Sequence, residues 1–270
     1  ERLVKDYPNS PVRRAAHIEL STLYFESGQL ARALAFVQPA LVESSSAEVA
    51  PLKLMLARIY TGLNEPSKSD SICWQLIHNS SGTPEALEAA QLVRDVESPQ
   101  KKLAVAKVYV RNRKPEEALA LLADMPEHLE PASLLPEIIY YRARSLELSG
   151  QNKESLEEYR QLAENHPAHS LAPAALYSSA EYYRSHGASE KALALYDRLV
   201  EAYPSDALAP LALRQKAKIF GKQDDAREYV QYDRILQNYP RSQVAFFAAM
   251  KWGTDLYRKR QYESAENIFR

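Results

Sequence analysis

A short phrase recurs along this chain at a nearly fixed interval, and that recurrence constrains the fold more than any other feature. Arg2-Leu3-Val4-Lys5-Asp6-Tyr7-Pro8 returns as Arg198-Leu199-Val200-Glu201-Ala202-Tyr203-Pro204 and as Arg234-Ile235-Leu236-Gln237-Asn238-Tyr239-Pro240. A looser copy ends at His166-Pro167. Pro167, Pro204 and Pro240 lie 37 and 36 residues apart, and Pro8 to Pro84 is 76, or two periods of 38. A chain built this way predicts one supersecondary unit repeated side by side, each burying its apolar face on the next.

Inside each period the order of residues is the same. An aromatic or apolar residue closes one helix, a short turn follows, and a small residue opens the packed face of the next. In the unit from Ser170 to Pro204 the members are Ala180, Tyr183, Gly187, Ala192, Tyr196 and Leu199. Leu20, Tyr24, Gly28, Ala33 and Val37 match them in the first unit. Ala192, Tyr196 and Leu199 follow i, i+4 and i+7 spacing, so they share one helical face. Gly28, Gly150 and Gly187 are placed to end helices in the left-handed conformation. Ser10, Asp206 and Ser242 stand two residues after a repeat proline, where the next helix needs an N-cap. Pro11, Pro173 and Pro210 fit first-turn positions, where a missing N–H costs nothing. No sustained period-two alternation occurs, so no sheet is expected.

This order resembles the tetratricopeptide repeat, a helix–turn–helix of about 34 residues. The resemblance implies an all-α, right-handed α-solenoid of six to seven helix hairpins. The expected division is residues 1–8 (the end of a preceding repeat), then 10–45, 48–81, 99–130, 133–167, 170–204, 206–240 and a partial 242–270. Tyr60 and Tyr109 are 49 residues apart, about 12 more than one period, so Glu85–Glu97 is expected to form one extra amphipathic helix. The whole reads as a single solenoid cut from a longer chain, since no polar capping helix is recognisable at either end.

Composition narrows the chemistry. Lys plus Arg (34) balances Asp plus Glu (35) for a net charge of −1, which argues against nonspecific nucleic-acid binding. A single cysteine, Cys73, leaves no internal disulfide, and it reads as a small buried hydrophobe. Only 7 glycines occur, and no phosphate-cradling loop, HExxH or CxxC pattern is present. His166 and His169 flank Pro167 in an inter-unit turn, so they read as turn residues and not as metal ligands. The pairs Glu26-Ser27, Glu97-Ser98 and Glu263-Ser264 have no apolar context to raise a carboxyl pKa for acid catalysis. Asp224-Asp225 reads as a helix-start feature. Tyr24, Tyr60, Tyr109, Tyr183 and Tyr257 recur at one repeat position and read as packing. No catalytic residue, metal or cofactor is expected. No stretch of the sequence is apolar enough for a membrane span.

The resemblance also implies that first helices line a concave face, with inward positions six before, two before and one after the repeat aromatic. Counted so, the later units offer Tyr140, Arg144 and Glu147; Tyr177, Glu181 and Arg184; Arg214, Lys218 and Gly221; and Lys251, Asp255 and Arg258. The earlier ones offer Ile18, Thr22 and Phe25; Leu54, Arg58 and Thr61; and Leu103, Lys107 and Val110, a largely apolar stretch. Tyr140, Arg144, Tyr177, Arg184, Arg214, Lys218, Lys251 and Arg258 are the candidate partner-binding residues, suited to an acidic or carboxylate-bearing peptide. The equal alternative is a solvated polar face with local ion pairs.

The junctions Tyr7-Pro8-Asn9-Ser10, Tyr203-Pro204-Ser205-Asp206 and Tyr239-Pro240-Arg241-Ser242 resemble those of bacterial cell-envelope proteins of this class. These include the outer-membrane-protein assembly lipoprotein and the Tol-Pal coordinator. That likeness implies a nonenzymatic protein- or peptide-binding scaffold, periplasmic or associated with the outer membrane. The segment Trp252–Tyr262 is similar to the superhelical arm of soluble lytic murein transglycosylases, which implies peptidoglycan as an alternative setting, with a catalytic domain beyond residue 270.

Overall fold

The structure is a computed structural model that describes residues 12–43, 46–123, 125 and 132–270. The expected end of a preceding repeat at 1–8, and the cap and proline at Ser10 and Pro11, lie outside the described residues. Among the described residues there are fifteen α-helices and one 3₁₀ turn, Ala132–Leu134, and no strand. The all-α expectation therefore holds. The chain divides into two units, Glu1–Gln151 and Asn152–Arg270.

The first unit contains α1 (Arg13–Glu26), α2 (Leu30–Glu43), α3 (Ser46–Gly62), α4 (Pro66–Asn79), α5 (Pro84–Leu92), α6 (Pro99–Arg111), α7 (Pro115–Leu122) and α8 (Leu135–Leu148). The second contains α9 (Asn152–Asn165), α10 (Ala172–Ser185), α11 (Ser189–Ala202), α12 (Leu208–Lys222), α13 (Arg227–Asn238), α14 (Gln243–Arg258) and α15 (Tyr262–Phe269). Within each unit every helix packs on its neighbours in sequence, and first helices also touch first helices: α1 on α3, α6 on α8, and α10 on α12 on α14. That pattern is the layout of a solenoid, in which contacts are local along the chain.

Small residues at the contacts let the helices approach. In the second unit Ala180, Ala192, Ala209, Ala212 and Ala217 are all fully buried, together with Tyr196, Leu199, Leu213 and Ile235. On α11 the buried positions are Ala192, Tyr196, Leu199 and Val200, the face expected from spacing. Tyr183 is half-buried against the same cluster, with the Lys191 ammonium 5.2 Å from its ring centre. In the first unit Ala33, Val37 and Ala40 of α2 pack with Leu52, Leu56 and Ile59 of α3.

Among the described residues one turn occurs seven times. Gly28, Asn64, Arg113, Gly150, Gly187, Asp224 and Arg260 all have φ between 52° and 79°, at intervals of 36, 49, 37, 37, 37 and 36 residues. At Gly187, its N–H donates to the Arg184 carbonyl and the Ala188 N–H to the Tyr183 carbonyl. The other six turns repeat both bonds in the same register. This is the Schellman closure, which satisfies two helix-end carbonyls and needs a left-handed residue to do so. Three of the seven positions are glycine; the other four are not, so composition alone hides the rule.

The register corrects several expectations. The extra helix is α5, but it ends at Leu92 and not at Glu97. Val93 is extended, the Arg94 N–H donates to Asp70 Oδ1 at 3.3 Å, and Ser98 caps α6 with Pro99 at its start. The chain must leave the helical conformation to reach that cap. In the last hairpin the residue that closes the turn is Leu256, not Tyr257, because the Gln261 N–H donates to the Leu256 carbonyl. Tyr257 is 62% exposed, its ring edge-on to Tyr262 at 5.3 Å, so it is not a packing residue. Leu103 and Val110 are buried with Ala106, Leu122 and Ile138, so they do not form an apolar groove. Asp206 does not cap α12, whose N-cap is Ala207; instead its Oδ1 accepts from the Leu208 N–H at 2.8 Å. Ser242 caps α14 as expected, accepting from the Ala245 N–H at 3.2 Å. Asp225 performs the helix-start role foreseen for the acidic pair, accepting from the Arg227 N–H at 2.9 Å.

Candidate functional site

The first helices of the second unit, α10, α12 and α14, share one face. That face carries a groove of about 890 Å³, closed at its side by the start of α13. Arg184 comes from the end of α10; Arg214, Lys218 and Lys222 from α12; Lys251 from α14. Phe247, Ile219 and Tyr232 supply apolar lining, and Glu228 the facing carboxylate. Four of the eight candidate residues, Arg184, Arg214, Lys218 and Lys251, thus meet in one cavity.

The remaining four do not line it. Tyr177 sits beneath, its hydroxyl accepting from Gln215 Nε2 at 3.2 Å and its ring 5.9 Å from that of Tyr196. Burial pushes its phenol pKa up. Arg258 is exposed on the last turn of α14 and lies outside the groove. The one-residue register error at Leu256 explains this, since inward positions counted from Leu256 fall at Met250, Thr254 and Tyr257. Lys251 reaches the cavity all the same, from the side of α14 that faces α12. Tyr140 and Arg144 belong to the first unit. There the Tyr140 ring stands edge-on to Tyr141 at 5.3 Å, and Arg144 pairs with Glu147 at 2.6 Å.

The cations of the groove divide into two kinds. Arg184 is held by Glu181 through Nε to Oε1 at 3.1 Å and Nη2 to Oε2 at 2.8 Å. Glu181 also accepts the Tyr196 hydroxyl. Burial alone would push the Glu181 carboxyl up, but the hydrogen bonds from Arg184 and Tyr196 outweigh it and hold it below the usual carboxylate range. Burial and the bond to Glu181 push the Tyr196 phenol far up, so it stays a donor. Lys251 pairs with Asp255 at 2.5 Å, which raises its pKa. Arg214, Lys218 and Lys222 have no ion-pair partner among the described residues, and Arg214 Nε is buried with no hydrogen bond. The groove therefore keeps a positive wall along α12 without direct ion pairs, although Lys218 lies near enough to Glu181 to help hold that carboxylate down.

Two further features were less visible in sequence. Gly221 gives room to Glu228: a Cβ there would stand 2.7 Å from its Oε2. Tyr232 donates to Glu228 Oε1 at 2.8 Å and fixes that carboxylate at the end of the wall. Lys222 follows Lys218 by four residues, a signal that counting from the repeat aromatic passes over. Phe247 carried a weaker signal, the Phe246-Phe247 pair; both rings are more than half exposed.

Cys73 and His169 both take structural places. Cys73 is fully buried, and burial raises its thiol pKa. His169 Nδ1 accepts from the Leu171 N–H at 3.2 Å, closing the turn before α10. Among the described residues no group of three His, Cys, Asp or Glu is placed to hold a metal ion, and no helix is long and apolar enough to cross a membrane.

The tetratricopeptide repeat family matches residues 140–207, the stretch that includes the turns at Gly150 and Gly187. No curated protein matches the chain. Among solved structures, PilF of Pseudomonas aeruginosa is 17% identical over 86% of this chain and 94% of its own, with a TM-score of 0.42. YrrB, described as a tetratricopeptide repeat protein with an unusual peptide-binding site, is 21% identical over 78% of this chain and 97% of its own, with a TM-score of 0.36. A Rap protein complexed with competence and sporulation factor is 16% identical over 92% of this chain and 71% of its own, with a TM-score of 0.40. The fold rests on the chain's own hairpins and not on these likenesses.

Proposed function

We propose that this chain is a nonenzymatic scaffold that holds a partner protein or peptide in the groove of its second unit, with an acidic segment against α12. The observation that carries the reading is the wall of Arg214, Lys218 and Lys222, without carboxylate partners among the described residues, beside the apolar surface of Phe247 and Ile219. A rigid helical groove binds at low ordering cost, because its backbone is already positioned. The Tyr-Pro-x-Ser and Tyr-Pro-Ser-Asp junctions support a bacterial cell-envelope setting, periplasmic or associated with the outer membrane. The likeness of residues 252–262 to a transglycosylase arm supports a second setting, beside peptidoglycan.

The test is affinity capture from an envelope extract with the wild-type chain and with Arg184→Glu, Arg214→Glu and Arg160→Glu. Arg160 lies on α9, outside the groove and paired with Glu157 and Glu164. A partner recovered by wild type and by Arg160→Glu, and lost with Arg214→Glu, supports the reading. Unchanged recovery with both groove variants refutes it.

A further inference from the structure

We infer that the groove selects an extended peptide with acidic side chains at alternate positions. This rests on the reading above and specifies its ligand. Arg214, Lys218 and Lys222 stand at i, i+4 and i+8 of α12, and all three line the groove. A helix rises about 1.5 Å per residue, so successive cations lie about 6 Å apart along its axis. An extended chain rises about 3.3 Å per residue, so side chains two apart share a face and lie about 6.6 Å apart. Over two steps the mismatch is about 1 Å, which the flexible stems of two lysines absorb. A contiguous run of three acids sends its middle carboxylate to the opposite face and so offers the three cations only two partners.

Compensation elsewhere in the groove sharpens the assignment. Arg184 and Lys251 already hold Glu181 and Asp255. Glu228, fixed by Tyr232 against Gly221, repels an acid that overshoots the wall. Register is therefore set by one row of cations and one opposing carboxylate. Phe247, 55% exposed in the same groove, suits an apolar residue in the ligand.

The experiment is fluorescence anisotropy with the full chain and three labelled probes. Two are peptides of equal length and composition with three Glu each, one with Glu alternating with Ala or Leu, the other with the three Glu contiguous. The third is oligouridylate, whose phosphates also form a regular anionic row. The alternating peptide is expected to bind at least about tenfold tighter than its isomer, and Lys218→Glu to remove that advantage. Lys218 is exposed, and Arg160→Glu provides the folded control that retains it. Equal affinity for both peptides, lost with Lys218→Glu, overturns the spacing rule and leaves the acidic groove standing. Binding by neither peptide, or binding indifferent to Lys218→Glu, overturns both. Oligouridylate binding tighter than either peptide overturns the assignment of a peptide ligand.

Discussion

Exchanging residues at the hairpin turns tests the register directly. Gly187 has φ of 77°, and a Cβ added there meets nothing within 4 Å. Gly187→Ala therefore introduces no clash, only the strain of an L-residue in the left-handed region, about 1–2 kcal/mol. Arg113 already bears that strain, with φ of 57° and an exposed side chain. Arg113→Gly relieves it but raises the freedom of the unfolded chain, which takes back about 0.5–1 kcal/mol. The same offset applies in reverse to Gly187→Ala, so the net expectation is a gain of about 0.5–1 kcal/mol for Arg113→Gly and a loss of about 0.5–1 kcal/mol for Gly187→Ala. Urea unfolding followed by far-ultraviolet circular dichroism measures both, with the denaturant slope unchanged if only stability moves. A neutral Gly187→Ala, or an Arg113→Gly that unfolds earlier, refutes the claim that these turns are equivalent and strained.

Glu181 is ionised below its ordinary range when folded, so its contribution is present above the unfolded carboxyl pKa and is lost as pH falls through the folded one. Acid unfolding of the wild-type chain should steepen below about pH 4.3; Glu181→Gln should flatten that dependence, and an unchanged acid limb contradicts it. Cys73 should resist dithionitrobenzoate in the folded chain and react once urea unfolds it, its burial being complete; a fast native reaction refutes that packing. Gly253→Ala places a Cβ 2.4 Å from the Phe269 ring, which must swing away. Hydrogen exchange should then rise in α15 while α10 to α12 stay protected, and protection unchanged in α15 counts against the contact.

Much of the fold was legible because helical periodicity and small residues at contacts are local signals. Ala192, Tyr196 and Leu199 lie at one face by spacing alone, and they are fully buried. Tyr257 misled because an aromatic one residue downstream looked like a better match than Leu256. The spacing to the next small residue distinguishes the two, since Leu256 to Ala265 is 9, as Tyr183 to Ala192 is, whereas Tyr257 to Ala265 is 8; the backbone bonds of the turn at Arg260 follow that spacing. The same slip placed Arg258 in the groove. The apolar run Leu103 and Val110 misled differently: inward register says where a side chain points, but only its neighbours decide whether water remains there. Lys222 was missed because counting from the repeat aromatic ends one residue after it, whereas a cationic row continues with its own period of four.

The invariant closure at the hairpins has a consequence for how such a chain tolerates change in length. Two crossed backbone bonds fix each of these turns, so an added residue there breaks both. The 49-residue interval contains its surplus elsewhere, in the stretch between Asn79 and Pro99 that includes α5. Reporter tags or grafted loops thus belong at junctions such as the one after Pro204, where one hairpin hands over to the next. The hairpins behave as rulers of set length, and the joints between them are where the array can be respaced.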